Sequence, residues 1–342
     1  MQIVKKWHRK ISQTRCIQMK LGNLILESTP LFLAPMEDVT DSAFRWICKD
    51  FGVDVLTSEF ASSEALIRKI EQTKCKLDFA EYERPFGIQL FGNKVDAMCE
   101  AARIAETYQP DFIDINWGCP VKKIAGKGAG SGIFQNIPLM IDITAQVVKV
   151  VKTPVTVKTR LGLDEKNKPI VEVSERLQDV GIQLLTIHGR TKSAMYTGKA
   201  DWTLIGKVKE NPRMTIPIVG NGDITDAAKA VEVKKRYGVD GIMIGRGAVG
   251  NPWIFPACKT ALKTGVVPYP PSIEERLRVC RQHFQLALQK KGEHYGIVSL
   301  KKHYKSYFRE IENFKELRIQ LLTSNSVEEI WEIFDRIEKR FC

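Results

Sequence analysis

No stretch of this chain approaches the roughly 18 consecutive apolar residues that a membrane helix needs, so no spanning segment is expected. Cysteine is sparse, eight residues with no paired short spacing, which argues against a disulfide framework and against a zinc site and fits a reducing cytoplasm. Lys5, Lys6, Arg9 and Lys10 are followed by no apolar core, so no secretory signal is expected and the localisation reads as cytoplasmic. Acidic residues are outnumbered, 40 against 52 Lys and Arg, for a net charge of +12. An ordinary metabolic enzyme has no need of that excess. A polyanionic partner explains it, nucleic acid first and a membrane surface second.

What is present concentrates between Asp111 and Gly132. Ile113 and Ile115 alternate with Asp114 and Asn116, the period-2 pattern of a strand with two unlike faces. Gly118, Cys119 and Pro120 break it, and Gly126, Gly128, Gly130 and Gly132 follow with Lys127 among them. Such a run suits a loop that moves or approaches a ligand closely. A cysteine at a strand tip near cations is a candidate reactive thiol; the alternative is a buried structural cysteine.

Around this stretch runs a rhythm of short β-rich segments, each followed by a helical one. The strands fall at residues 31–35, 53–58, 85–91, 111–116, 154–160, 183–188, 216–220 and 240–244. Eight β-then-α units imply a parallel sheet and match a (β/α)8 TIM barrel, an α/β fold, better than an open doubly wound sheet. Pro268, Pro270 and Pro271 then mark a linker, and Ser272 caps the first of several helices that read as a small C-terminal all-α bundle. The expected division is an N-terminal extension 1–20, a barrel 21–265 and a helical unit 266–342. The helical unit carries Lys301, Lys302 and Lys305 in one basic run with an aromatic inside it, which is either an RNA contact or a solvated helix face.

Gln89, Asn116, Cys119, Lys158, Arg160 and His188 all fall at C-terminal strand ends, on inward faces or just beyond. Each has a bland reading alone. Together, across four strands, they are costly to bury unless a ligand or a network satisfies them. Asn221-Gly-Asp223 ends the seventh strand, and Gly245-Arg-Gly247 ends the eighth. Glycine-rich tips there expose backbone N–H groups that bind phosphate, and Arg246 adds a charge-assisted bond. A phosphate grip with a lysine, a glutamine and no metal cluster points to a phosphorylated organic cofactor. From these residues alone a flavin and a Schiff-base chemistry, pyridoxal phosphate or an aldolase, both stand.

Leu33-Ala-Pro-Met-Glu-Asp-Val-Thr-Asp41, Gln89-Leu-Phe-Gly92, Asp114-Ile-Asn-Trp-Gly-Cys-Pro120, Lys158-Thr-Arg-Leu-Gly162, Ile187-His-Gly-Arg-Thr191, Gly220-Asn-Gly-Asp223 and Ile244-Gly-Arg-Gly247 run in the order seen in one family. The chain resembles the tRNA-dihydrouridine synthases, FMN-dependent barrel enzymes that reduce uridines in tRNA, with the bacterial B-type branch nearest. The resemblance implies that Pro35, Met36 and Glu37 line the flavin, and that Gln89 and Lys158 contact its ring. It implies that His188, Asn221, Gly222, Asp223, Gly245 and Arg246 hold the phosphate end. Asn116 and Arg160 would face the uracil, Cys119 would donate the proton, and the C-terminal helices would grip tRNA. NADPH is the implied reductant, with no metal, no membrane and a monomeric protein. The chain departs from the commonest family pattern at Glu37-Asp38, and at Trp117, where a bulky side chain is expected to alter the fit of the base. The rival readings are a flavin barrel acting on a small molecule and a non-catalytic RNA-binding protein.

Overall fold

In the computed structural model, which describes residues 18–342, the alternating segments close into a ring. β1 (Met19–Leu21) and β2 (Leu24–Leu26) form an antiparallel hairpin. There follow β3 (Leu31–Leu33), β4 (Leu56–Thr57), β5 (Ala61–Ser62), β6 (Phe86–Phe91), β7 (Phe112–Trp117), β8 (Val155–Arg160), β9 (Leu185–His188), β10 (Ile218–Asn221) and β11 (Gly241–Ile244). Parallel pairing runs β3-β11-β10-β9-β8-β7-β6-β4, and short β5 pairs with the end of β6. Leu33 N–H donates to Val55 O at 3.1 Å and Val55 N–H to Leu31 O at 3.2 Å, which joins the two ends of that series. The result is the expected (β/α)8 barrel, with helices beyond it at the C-terminus. The expected extension 1–20 lies outside the described residues except for its last three.

Side-chain alternation divides each strand between two environments. The outward set, including Ile113, Ile115, Val155, Val157, Leu185 and Ile187, is fully or nearly fully buried in one apolar cluster with the surrounding helices. The inward set changes character along the strand. Phe32, Phe112, Leu184 and Val219 sit near the strand starts and pack with Met19, Leu21 and Leu26 of the hairpin. Two to four residues further along come Asp114, Asn116, Thr186, His188 and Asn221. The barrel is therefore plugged with apolar side chains at one end and polar at the other, where its loops stand. Trp117 belongs to the outward set. Its ring is fully buried and its Nε1–H donates to Thr144 Oγ1 at 3.1 Å on the helix Ile137–Val150. The expectation that it shapes the fit of a base is corrected: as the third outward residue of β7 it supports the barrel wall.

The C-terminal helices Ile273–Tyr307, Lys315–Thr323 and Val327–Phe341 share a second apolar cluster, which includes Ala43 and Ile47 from the first barrel helix, Ser42–Asp50. Ser272 and Ser326 cap two of them by accepting from Glu275 N–H and Glu329 N–H. The long helix is broken at Gly292, whose φ of 73° is left-handed. Asp41 caps Ser42–Asp50 with one carboxylate oxygen and receives Lys291 Nζ at 2.7 Å on the other. Phe44 stacks on His283 and touches His303, and His283 Nδ1 lies 3.2 Å from Tyr307 OH.

This docking is expected to weaken in acid. Burial pulls His283 down to about 4, against the help of nearby Asp41, and pulls His303 well below the ordinary histidine range. Between about pH 6.5 and 4 the unfolded chain takes up a proton that folded His283 refuses. Stability therefore falls as pH falls through that window, by about 2–3 kcal/mol for this one group. Thermal melts across pH 4–7 should show the loss, and His283→Gln should reduce it by the share of that group, leaving the share of His303. A melting temperature as steep in the variant would assign the acid sensitivity elsewhere.

Candidate active site

At the polar end of the barrel the strand tips surround a cavity of about 730 Å3, inside the range of about 300–1,000 Å3 usual for small-molecule sites. Parallel register builds it. Asn116 pairs with Lys158, and two residues further along β8 Arg160 pairs with His188 and His188 with Asn221, so polar side chains from neighbouring strands arrive in two successive layers. Pro35, Met36, Glu37, Asn116, Cys119, Lys158, Arg160, His188, Asn221, Gly222, Asp223, Gly245 and Arg246 all contribute to the lining. Gln89 does not. It is fully buried one layer lower, its Nε2 donating to Asp114 Oδ2 at 2.6 Å and its Oε1 accepting from Asn116 Nδ2 at 2.8 Å. Lys301, Lys302 and Lys305 lie outside the cavity. Lys301 Nζ donates to Asn325 Oδ1 at 3.0 Å and Lys302 Nζ to Asp38 O at 2.9 Å, while Lys305 is exposed.

Lys158 is the group most out of balance. Burial, aided by neighbouring Arg160, pulls its ammonium down to about 8, and it makes no hydrogen bond among the described residues. Arg160 is buried but satisfied. Its Nε donates to Gly118 O at 2.7 Å, and its Nη1 to Thr191 O at 2.8 Å and Met195 O at 2.7 Å. It thus ties the cysteine turn to the loop after β9, and burial lowers it to about 10. Burial, reinforced by Arg160 and Lys158, pushes His188 well below its usual range, so the imidazole is neutral; its Nε2 lies 3.3 Å from Arg190 Nη1. Asp223 would be raised by burial, but Ala200 N–H, Arg190 and Arg246 outweigh that and lower it. Its carboxylate is consumed by Arg190 at 2.8 Å and Arg246 at 3.1 Å, which leaves its backbone to face a ligand.

The backbone N–H groups of Gly222, Asp223, Gly245 and Arg246 find no acceptor among the described residues. Gly222 (φ +128°) and Asp223 (φ +54°) hold the left-handed geometry that turns successive N–H groups towards one point. Across the cavity, Cys119 is half-buried and burial raises its thiol, against the pull of Val121 N–H, Arg160 and Lys158. Its N–H and that of Gly118 both donate to Asn116 Oδ1, at 2.8 and 2.9 Å. Its carbonyl accepts from Ser131 N–H at 3.0 Å and Ser131 Oγ at 2.9 Å.

The glycine-rich segment after Cys119 is folded, with a helical turn at Lys122–Ala125 and a 3-10 turn at Gly130–Gln135. A Cβ on Gly130 would meet Cys119 O at 2.7 Å, and one on Gly132 would meet Ala125 O at 2.1 Å. These two glycines serve close packing beneath the cysteine, which sequence alone cannot tell from an open mobile loop. Sequence reasoning also missed Arg190, Tyr196, Ser306 and Arg309. Arg190 stood in a quoted motif, but the carboxylate it pairs with, Asp223, is 33 residues away in sequence. Tyr196, over which Arg160 and Arg246 both stack, carries no local signal. Ser306, at the end of the helix Ile273–Tyr307, and Arg309, in the turn after it, reach the cavity only because of the docking on Ser42–Asp50.

A family model described as Dihydrouridine synthase (Dus) matches residues 32–340, and the chain belongs to this family. It is 38% identical over 301 residues to the "Probable tRNA-dihydrouridine synthase" of Rickettsia conorii, covering 88% of this chain and 90% of that one. With "tRNA-dihydrouridine synthase B" of Pasteurella multocida it is 39% identical over 294 residues, covering 86% and 88%. Among solved structures, histamine dehydrogenase from Rhizobium sp. 4-9 aligns with a TM-score of 0.55 at 13% identity, over 79% of this chain and 50% of that one. Morphinone reductase in complex with tetrahydroNAD aligns with a TM-score of 0.53 at 13% identity, over 75% and 92%. At that identity the two structures support the barrel fold alone.

Proposed function

We propose that this protein is a tRNA-dihydrouridine synthase that binds FMN and, with NADPH as reductant, saturates the C5–C6 bond of D-loop uridines in tRNA. The family implies a flavin, and the residues present fit one. The single observation that carries the reading is Lys158, a partnerless ammonium on the wall of a cavity whose opposite tips offer free N–H groups. A ring edge that accepts negative charge, joined to a phosphate, satisfies both at once. Asn221, Gly222, Asp223, Gly245 and Arg246 would hold the phosphate, with neutral His188 beside it. Pro35 and Met36 would line the ring, with Glu37 at the rim, where its Oε1 pairs with Lys76. Gln89 would support the ring side through Asn116.

FMN, when bound, supplies the hydride that goes to uracil C6. The protein must admit the base, which requires the nucleotide to leave its stack. Asn116 and Arg160 would border the base. Cys119 would give its thiol proton to C5, and the thiolate left behind would be reprotonated from solvent. Burial keeps the thiol protonated at neutral pH, as an acid requires. In this reading the barrel, 21–265, carries the chemistry, and the helices, 266–342, grip tRNA.

The purified protein should be yellow, and with NADPH it should convert uridine in tRNA but not free uridine. Equal reduction of free uridine would favour a small-molecule enzyme, and colourless protein that binds tRNA would favour a non-catalytic one. Lys301→Glu with Lys305→Glu should weaken tRNA binding and flatten its salt dependence by about one to two units of slope, with flavin content unchanged. Lys302 is left in place because it also binds Asp38 across the docking surface. Unchanged affinity would place the RNA surface elsewhere.

A further inference from the structure

Beneath the cavity lies a polar chain whose deepest members, Asp114 and Thr156, the proposed chemistry does not use. Thr156 Oγ1 donates to Asp114 Oδ1 at 2.5 Å, and Gln89 Nε2 donates to Asp114 Oδ2 at 2.6 Å. Gln89 Oε1 accepts from Asn116 Nδ2 at 2.8 Å, and Asn116 Oδ1 accepts from the N–H groups of Gly118 and Cys119. Asp114, Gln89, Asn116 and Thr156 are each at most 6% exposed. A primary amide can sit either way round, because its oxygen and nitrogen have nearly the same shape. An ionised carboxylate cannot, since it only accepts. Gln89 must therefore give Asp114 its N–H, which turns its oxygen to Asn116. Asn116 must then give its own N–H to that oxygen, which turns its oxygen to the cysteine turn.

We infer that Asp114 is a positioning residue for the thiol acid: through Gln89 and Asn116, its carboxylate sets the orientation of the turn that presents Cys119 to the cavity. The inference rests on Cys119 being the proton donor, and it assigns a task to a carboxylate that does not itself line the cavity.

Protonation would loosen the hold, because a neutral carboxyl accepts from Gln89 more weakly than a carboxylate does, while the N–H groups of Gly118 and Cys119 still keep the amide of Asn116 turned towards them. Burial raises this carboxyl to about 6, although Gln89, Thr156 and Lys158 pull it down. Proton transfer from Cys119 should thus fade as pH falls through about 6. Other groups facing the turn keep one state across that window. Lys158 and Arg160 stay charged, His188 stays neutral and the Cys119 thiol stays protonated. Glu37 also acts on the thiol, from the lining of the cavity.

The test is single-turnover dihydrouridine formation on tRNA by the pre-reduced, flavin-loaded enzyme, followed from pH 5 to 8. Wild type should show an acid limb near pH 6. Asp114→Asn should lose the limb and run about 10- to 100-fold slower on the plateau, the cost of misplacing a reacting group, with KM for tRNA and flavin reduction by NADPH unchanged. Thr156→Val removes a bond that favours the ionised carboxylate, so it should move the limb to higher pH. It decides the matter if Asp114→Asn does not fold. A limb that ignores both substitutions, in an enzyme that still depends on Cys119, overturns this inference alone. Activity that survives Cys119→Ala instead overturns the proton-donor reading on which it rests.

Discussion

Cys119→Ala is expected to keep its flavin and its NADPH oxidation while dihydrouridine formation in tRNA falls by about 10²–10⁴-fold, the range for loss of a general acid. The turn that carries the residue is held by backbone groups: its N–H on Asn116 and its carbonyl on Ser131. None of these needs the sulfur, so alanine should leave the turn intact and remove only the proton source. Flavin reduction uses other residues, so the two half-reactions should separate cleanly. Flavin content and dihydrouridine yield, measured on the same preparation, check this. Parallel loss of both would make the cysteine structural.

Lys158→Met is expected to stabilise the flavin-free protein and cripple it as an enzyme. The ammonium lies in a place where burial disfavours its charge, and the attraction of Asp114 does not make up that cost. Its folded pKa is depressed, from 10.5 to about 8, so between these values the unfolded chain binds more protons than the folded one. Stability should rise with pH across that window and carry a cost of about 2–3 kcal/mol below it. Methionine fills similar space without charge and removes that cost. The variant should melt higher than wild type near pH 7 and converge with it near pH 10. It should also retain flavin poorly, because the positive charge proposed to sit beside the ring is gone. A lower melting temperature near pH 7 would mean that the lysine has a stabilising partner. Retaining a strained group at the site exchanges stability for activity, a common arrangement in enzymes.

Much of this arrangement was legible in the residues before any coordinates. Period-2 alternation in β7, β8 and β9 separated the inward polar set from the outward apolar set, and strand-end position put Cys119, Lys158 and His188 at one mouth. Ser272 marked a helix start through a local rule, and it caps that helix. What escaped depended on partners distant in sequence. Arg160 read as a group aimed at a substrate, yet three of its bonds end on backbone carbonyls of two different loops. Gln89 read as a cavity residue, but the short side chain of Asn116 lies above it and Asp114 takes its amide. Trp117 lies one residue past an inward asparagine, so alternation alone put it outside. The expectation about the base arose from its size, not from its face. Arg309 reaches the cavity through docking set by Asp41, Phe44 and Lys291, a contact that spans most of the chain.

The central claim is tested most directly by mass spectrometry, read position by position, of tRNA from cells lacking this protein after incubation with purified enzyme and NADPH. Wild-type protein should add two hydrogens to specific D-loop uridines, and flavin-loaded Cys119→Ala should do so about 10²–10⁴-fold more slowly. No gain with the wild type, or an equal gain with the variant, would contradict a thiol acid working beside a flavin in this barrel.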